Sequence, residues 1–333
     1  CNDRLSKLEK LSILLPLRAG CRSFLEIKIG QKIVQKNEIR FRSFGKACRI
    51  AIGGSHDGDY DLLALCQEEL ARLEEKFSTH LPSSIPSQIN QSSGTGAYIP
   101  LDAEALSLFH YVDALWDESK HIFDPTTRII SDCYDSSGKL LASQDQLGKI
   151  LKLVGWRDLE ITSKGAHLAN AGMLIDLNSC VQPYALDSLR KILLKYGVEN
   201  ALIEMDQDVV TIGKQPDGAN WLVGVRVPQG SSAAIVRLKL NHKGFALRGD
   251  FEQITLHNGE RFGRALSPVD GQAIPGLLSV IVIAENCLTA CSAASIARLK
   301  TEATGLKWLE ALGLPWMAVD RQLKCHGPLA RKA

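Results

Sequence analysis

The sequence predicts an α+β fold in which mixed or antiparallel sheets are flanked by helices. Strand-like and helix-like segments follow one another along the 333 residues without the strict alternation of a doubly wound sheet. The composition, 45% hydrophobic and 23% charged, supplies ample material for a buried core. We expect an N-terminal extension with the first strand over 1–43, one compact domain over 44–315 and a C-terminal tail over 316–333.

The first third of the chain predicts strands followed by two helices. Apolar residues alternate over 23–53, which indicates strands that end at Gly53-Gly54. Over 59–77 apolar residues recur every three to four positions, which predicts an amphipathic helix. The polar stretch 78–96 predicts a loop, and Asp102 is placed to cap a helix that runs to about Lys120.

The remaining elements mix both types. Ser143 and Gln146 form a capping box for a third helix, and a fourth is expected over 184–196, before Gly197. Strands are expected over 200–245, with turns at 216–218 and 228–230. The apolar run 277–284 predicts a buried strand. Two further helices are expected over 288–299 and 301–312.

Charge and cysteine content exclude several classes of function. The 39 basic and 37 acidic residues leave a net charge of +2, and no basic stripe is interleaved with aromatic residues, so we expect no nucleic-acid partner. The nine cysteines are scattered. Cys287 and Cys291 lie four positions apart without a second close pair, so buried cysteines are expected rather than a zinc site. No segment is apolar over the length that a membrane-spanning helix needs.

Cys1 leaves two interpretations open. A mature bacterial lipoprotein begins with a lipidated cysteine, which makes Cys1 a lipidation candidate and a possible membrane anchor. The alternative is a trimmed start with no chemical meaning.

Several motifs follow one another in a specific order. They are Phe77-Ser-Thr-His80, Phe123-Asp-Pro-Thr126, Asp176-Leu-Asn-Ser-Cys-Val-Gln-Pro-Tyr184, Arg248-Gly-Asp-Phe251 and Cys291-Ser-Ala-Ala-Ser295. In this order and at these separations they resemble the ApbE family of FAD:protein FMN transferases, over about residues 44 to 312. The resemblance implies the family's α+β flavin transferase fold, and Mg²⁺-dependent cleavage of FAD at its pyrophosphate. FMN would then be attached through its phosphate to a Ser or Thr of a partner flavoprotein.

The resemblance also implies which residues meet the ligands. Positions that would bind FAD are Phe44, Phe77, Ser78, Phe123, Asp124, Asp176, Gln182, Tyr184, Asp208 and Asp250. Positions that correspond to the metal site are Ser179, through its carbonyl, Cys291 and Ser295. No residue is assigned a catalytic role. The implied partner is a flavoprotein or a membrane redox complex, and the implied location is the periplasmic side of the bacterial inner membrane, with an anchor at Cys1.

This sequence departs from the family's pattern where phosphate and metal would bind. Cys291 replaces the metal-binding aspartate, and a thiol is a poor ligand for the hard Mg²⁺ ion. Gln182 replaces a lysine, Pro183 replaces a glycine, and Arg248 replaces a serine. For Arg248 two roles stay open, phosphate binding or a surface salt bridge.

These departures lead to three functional hypotheses. The first is a degenerate family member that acts as a binding or assembly subunit of a membrane redox or flavoprotein system, or as a flavin carrier. The second is an active Mg²⁺-dependent FMN transferase with an altered site. The third is a FAD pyrophosphatase, in which water replaces the acceptor hydroxyl.

Overall fold

The computed structural model describes residues 25–26, 37–54, 59–135, 138–229, 232–252, 254–257 and 259–330. Its strands are β1 (Leu25–Glu26), β2 (Glu38–Ser43), β3 (Lys46–Ile52), β4 (Leu159–Thr162), β5 (Gly165–Leu168), β6 (Ala201–Met205), β7 (Asp208–Ile212), β8 (Trp221–Gln229), β9 (Ser232–Leu240), β10 (Gly244–Gly249), β11 (Thr255–His257), β12 (Glu260–Phe262), β13 (Ser279–Ala284), β14 (Trp316–Val319) and β15 (Cys325–His326). The α-helices are α1 (Asp59–Phe77), α2 (Ile85–Gln91), α3 (Ala103–Glu118), α4 (Gln144–Leu151), α5 (Asn178–Lys195), α6 (Cys287–Arg298) and α7 (Glu302–Ala311). Short 3-10 helices cover Pro125–Cys133 and Trp156–Asp158.

The predicted α+β class is confirmed. Within the described ranges, eight strands form an antiparallel main sheet in the order β15-β14-β13-β10-β7-β6-β3-β2, and β1, β8 and β9 form a second sheet. The sheet extends past the boundary predicted at residue 315, because β14 pairs with β13 and β15 with β14. On the N-terminal side β2, which precedes residue 44, pairs with β3 along its whole length.

Alternating side chains of the main sheet enter different cores. Ile50, Ile203 and Val210 point toward α1, α3 and α5 in the largest cluster of buried residues. Leu202 and Val209 point the other way, against β8 and β9. This period of two is the property of strands that lets one sheet separate two apolar layers. A third cluster packs α6 and α7 against β10, β13 and β14.

Most helices begin where the sequence predicts. Asp102 caps α3 by accepting a hydrogen bond from the backbone N–H of Ala105 at 2.8 Å. Ser143 and Gln146 make the predicted capping box at α4. The helices predicted over 59–77, 288–299 and 301–312 are confirmed as α1, α6 and α7 to within one residue.

Three local predictions are wrong. The segment 78–96, predicted as a loop, contains the helix α2. Ser84 caps this helix, and Pro86 lies in its first turn, where a proline is tolerated. The fourth helix begins at Asn178 rather than Tyr184, so that Pro183 lies inside it. The turn predicted over 228–230 is wrong for its first two residues, because Pro228 and Gln229 still pair with Ala233 and Ser232 in the β8–β9 hairpin.

Cys1 and the lipid attachment predicted for it lie outside the described residues. Of the helices that the structure describes, none has both the length and the apolar composition needed to cross a bilayer.

Candidate functional site

The two main positions of the expected metal site face each other across two helices. Cys291 lies one turn into α6 and is fully buried. Its thiol donates a hydrogen bond to the backbone carbonyl of Ser179, in the first turn of α5, with Sγ and O 3.2 Å apart. The Cys291 thiol also contacts Ser295, one turn further along α6. The structure therefore brings together the three positions that the resemblance assigns to the metal.

A buried carboxylate on α5 fixes the start of α6. Asp187 accepts hydrogen bonds from the backbone N–H groups of Cys287 and Leu288, both at 2.9 Å. Asn286 caps the same helix by accepting from the N–H of Thr289 at 2.8 Å. Negative charge at a helix N-terminus is favourable because unpaired N–H groups meet there. Asp187 thereby fixes how Cys291 approaches the first turn of α5.

Pro183 explains why the Ser179 carbonyl is available. In a regular helix, the N–H of residue 183 would donate to the carbonyl of residue 179. Proline has no N–H, so the Ser179 carbonyl lacks this helical partner and accepts from the Cys291 thiol instead. The helix is uncapped at Leu177, which makes no side-chain hydrogen bond to the first turn.

A guanidinium lies on the other side of the Cys291 thiol. Arg248, at the end of β10, donates two hydrogen bonds to the carboxylate of Asp208 on β7, each at 2.7 Å. The same guanidinium contacts Cys291 Sγ through Nη2 and the carbonyl of Leu247 at 2.9 Å. Of the two roles open for Arg248, the structure contradicts the surface salt bridge, since the Asp208 side chain is only 5% exposed.

The Arg248 guanidinium stays charged in this setting. Burial opposes the charged form, but the Asp208 carboxylate outweighs it and raises the pKa of Arg248 well above its ordinary value. Bidentate pairing of a guanidinium with a carboxylate is among the strongest hydrogen-bonded arrangements in proteins. The position between β10 and α6 therefore already holds a positive charge.

These residues do not fit a divalent metal. Burial raises the pKa of the Cys291 thiol to about 12, so the group is neutral and its sulfur is a poor match for Mg²⁺. Across the described part of the chain, no group of three or more His, Cys, Asp or Glu side chains is arranged to hold a metal ion. Asp270 does not compensate, because it is exposed and accepts from the N–H of Gln272 at 3.1 Å in its own turn.

A second arginine lies beside Arg248. Arg298 ends α6, and its Nε atom is buried without a hydrogen-bond partner among the described residues. Burial, followed by the charge of Arg248, lowers the pKa of Arg298 to about 10, and Asp250 opposes this shift. Gly249 has a left-handed φ of +82°, and a Cβ there would lie 2.3 Å from the carbonyl oxygen of Leu278 and 2.5 Å from Arg298 Nε.

Asp250 is held in its own turn. Its Oδ1 accepts from the N–H of Glu252 at 2.8 Å, and its Oδ2 is buried without a hydrogen-bond partner in the described ranges. In the neighbouring turn at Asp206-Gln207, Asp206 has a left-handed φ of +53°. Lys46 pairs with the Asp206 carboxylate at 2.9 Å and offsets its negative charge.

An open cleft of about 240 Å³ lies next to Ser179. Its lining combines the start of the 125–133 helix with the start of α5, and consists of Phe123, Asp124, Pro125, Thr127, Arg128, Asp176, Asn178, Ser179 and Leu299. Of the positions expected to bind FAD, the structure brings Phe123, Asp124 and Asp176 to this cleft. Typical small-molecule sites measure about 300–1,000 Å³, so the cleft is slightly smaller than most of them.

The two carboxylates of the cleft already have backbone partners. Asp124 Oδ1 accepts from the N–H of Thr126 at 2.8 Å, and Oδ2 accepts from the N–H of Trp156 at 2.9 Å and from Nε1 of Trp116 at 3.3 Å. Asp176 Oδ1 accepts from the N–H of Asn178 at 2.8 Å. Both side chains therefore shape the walls of the cleft.

Other positions expected to bind FAD lie within the protein. Phe44 and Phe77 are buried in the largest core cluster, and Ser78 is buried beside Phe77. Phe44 forms the β2–β3 turn together with Gly45 and has a left-handed φ of +51°. Asp208 is the buried partner of Arg248.

Tyr184 and Gln182 lie further along α5. The Tyr184 hydroxyl donates to Glu104 at 2.8 Å, and Arg72 donates to both oxygens of the same carboxylate at 2.8 Å. This network joins α1, α3 and α5. Gln182 is partly buried and is not among the cleft residues.

Sequence reasoning missed the pairing of Arg248 with Asp208 and the second arginine, Arg298. The two partners of the pair are 40 positions apart, and no periodic pattern connects them. One signal could have indicated that Arg248 and Cys291 belong together. Both positions depart from the family's motifs, with an arginine in place of a serine at 248 and a cysteine in place of an aspartate at 291.

Comparisons with known proteins agree with the motif series. The model of the ApbE family matches residues 44–317. A FAD:protein FMN transferase of Chlamydia muridarum (strain MoPn / Nigg) is 26% identical over 245 residues, which cover 71% of this chain and 75% of that protein. One of Haemophilus influenzae is 23% identical over 232 residues, with 66% of this chain and 67% of that protein covered.

Two solved structures share the fold. The ApbE protein of Thermotoga maritima superposes with a TM-score of 0.74 at 24% identity, covering 89% of this chain and 97% of that one. The apo form of the Pseudomonas stutzeri flavinyl transferase ApbE superposes with a TM-score of 0.74 at 22% identity, covering 85% and 90%.

Proposed function

This chain belongs to the ApbE family, and on that premise we propose that it binds part of a flavin nucleotide without carrying out metal-dependent FMN transfer. Its role is that of a binding or assembly subunit in a flavoprotein system. The relatives named FAD:protein FMN transferases act, by their name, on a protein, and this supports a flavoprotein partner for the present chain.

One observation carries the proposal: Arg248 and a neutral Cys291 thiol lie where the resemblance puts the metal. Phosphoryl transfer depends on positioning and on neutralising the charge that develops on the transferred group. A divalent ion in an oxygen-lined site supplies that neutralisation. Here Arg248 is already neutralised by Asp208, so the pair adds no net charge to offset a diphosphate.

The cleft supports binding of a nucleotide fragment. Asn178 and Ser179 of its lining lie in the first turn of α5, where N–H groups favour anions. The N–H of Asn178 is already bonded to Asp176, so the anion would meet the turn at Ser179. Phe123 supplies an apolar side chain on the same lining. The open cleft of about 240 Å³ favours the phosphate end of a mononucleotide such as FMN over the complete dinucleotide.

The proposed setting is the periplasmic side of the bacterial inner membrane, with attachment through a lipid on Cys1 and a membrane redox complex as partner. Mass spectrometry of the protein purified from membranes tests the attachment directly. A mass that equals the unmodified chain would remove the anchor from the proposal.

A transfer assay tests the central claim. The protein is incubated with FAD, Mg²⁺ and an acceptor domain, and flavin bound to the acceptor is detected by in-gel fluorescence, with the Haemophilus influenzae relative as the positive control. We expect no labelled acceptor. Labelling at a rate near that of the relative would establish the second hypothesis, an active transferase, in place of this proposal.

Two further measurements separate the remaining hypotheses. Release of AMP and FMN without an acceptor would establish the FAD pyrophosphatase instead. Titration of FMN against the protein, followed by flavin fluorescence, should give saturable binding that is the same in Mg²⁺ and in EDTA. Binding that appears only with Mg²⁺ would contradict the metal-independent site.

A further inference from the structure

The site contains a cation of its own. The guanidinium of Arg248 is held from one side by both oxygens of Asp208, at 2.7 Å each, and from another by the Leu247 carbonyl at 2.9 Å. Its Nη2 atom contacts Cys291 Sγ, the atom at the position of the family's metal-binding carboxylate. Three directions around the guanidinium are thus fixed by acceptors of the protein.

The second expected metal position is also taken. The Ser179 carbonyl accepts the hydrogen bond of the Cys291 thiol at 3.2 Å. Guanidinium, thiol and carbonyl therefore form a continuous chain of contacts between β10, α6 and α5. A metal ion bound to Ser179 would have to displace the thiol, and a ligand at position 291 would have to turn away from Arg248.

The local charge balance also disfavours a divalent ion. Asp208 is engaged by Arg248 and so is not free to hold a divalent ion, and Arg298 adds a positive charge near Arg248. A neutral cysteine fits between a carbonyl acceptor and a cation that already has its counter-ion. A carboxylate at position 291 would instead meet the Nη2 donor of Arg248 and form a second ion pair.

We propose that the guanidinium of Arg248 is a built-in cation, which takes the place of a divalent metal in this chain and prevents one from binding. The substitutions at positions 248 and 291 then act as one unit. Restoring the carboxylate alone will not restore a metal site, whereas changing both positions will. This inference deepens the proposed function and rests on it only in attributing the loss of transfer to the missing metal.

The test is a titration with Mn²⁺ alone, without flavin, in which free Mn²⁺ is followed by electron paramagnetic resonance. Four proteins are compared: wild type, Cys291→Asp, Arg248→Ser, and the double variant Cys291→Asp/Arg248→Ser. We expect no saturable Mn²⁺ site in wild type or in either single variant. The double variant should bind Mn²⁺ at least about tenfold more tightly than any of them.

Arg226 offers a matched control for the loss of an arginine. It pairs with Glu252 at 2.7 Å and is 40% exposed, so its removal lowers the local positive charge without opening the position beside Cys291. The variant Cys291→Asp/Arg226→Ser should behave like Cys291→Asp. If this control binds Mn²⁺ as the double variant does, then loss of any nearby positive charge is enough to allow binding, whatever the position of the arginine. The inference about Arg248 then fails.

Three other outcomes would overturn the inference. They are Mn²⁺ binding by wild type, binding by Cys291→Asp as tight as in the double variant, and a double variant that is folded by circular dichroism but does not bind Mn²⁺. If the double variant does not fold, the wild type and Cys291→Asp titrations decide by themselves. A chain that proves active in the transfer assay yet binds no Mn²⁺ would refute the proposed function and leave this inference standing.

Discussion

The carboxylate of Asp187 determines how α6 meets α5, and its removal should be costly. Asp187 is 7% exposed and accepts two backbone hydrogen bonds at 2.9 Å from the first turn of α6. Hydrogen bonds to a charged group contribute about 1.5–3 kcal/mol each. Burial raises the pKa of Asp187, so part of this gain is offset by the cost of burying its charge.

We therefore expect Asp187→Ala to lower the free energy of unfolding by about 3 kcal/mol, because two buried N–H groups lose their acceptor. Asp187→Asn keeps one acceptor oxygen and carries no charge, so it should cost about 1 kcal/mol. The measurement is urea denaturation at pH 7, followed by circular dichroism and tryptophan fluorescence.

Asp145 provides the control for this comparison. It is an exposed acidic residue in the first turn of α4, where its interaction with the helix dipole is worth only about 0.3–1 kcal/mol. Asp145→Ala should therefore have a small effect. If Asp187→Ala is destabilised by less than 1 kcal/mol, or no more than Asp145→Ala, the N–H groups find other partners and Asp187 does not anchor α6.

Two pH-dependent effects follow from buried or paired glutamates. Arg72 above all, helped by Lys76 and Tyr184, lowers the pKa of Glu104 from 4.5 to about 2. The stabilisation that the ionised Glu104 gives the fold is therefore complete above pH 4.5 and is lost as the pH falls toward 2. Glu104→Gln should lower the free energy of unfolding by about 1–2 kcal/mol at pH 7, after allowance for the partial exposure of Glu104, and by less at pH 3. A loss of stability that does not change with pH would contradict this. Burial raises the pKa of Glu204 from 4.5 to about 7. The loss of stability from burying its charge is therefore absent below pH 4.5 and complete above pH 7. Glu204→Gln should therefore stabilise by about 1–2 kcal/mol at pH 8 and by little at pH 5, whereas an equal gain at both pH values in urea titrations would refute the burial argument.

Local rules predicted the elements that depend on neighbouring residues. Asp102 and Ser143 cap their helices as expected because a cap needs only residues within one turn. The start of α5 was predicted too late because Pro183 usually marks a helix boundary. Here the proline is accommodated, since the carbonyl it leaves unpaired accepts from Cys291.

The candidate site was only partly predictable from the sequence. The motifs located Ser179, Cys291 and Ser295, and the structure brings them together. They did not reveal the guanidinium on the other side of Cys291, because the Arg248–Asp208 pair depends on the pairing of β7 with β10. A side chain that closes a site through tertiary pairing leaves no periodic signal in the sequence.

The contacts of the site also determine when it forms during folding. Cys291 and Ser179 are 112 positions apart, and Tyr111 meets Ser292 across 181 positions. Contacts at such separations must overcome the entropy of closing long loops before they stabilise the chain. Arg248 and Asp208 are only 40 positions apart, so closing the loop between them costs less entropy than closing the loop between Ser179 and Cys291. We therefore expect the built-in cation to form before the thiol of position 291 reaches it.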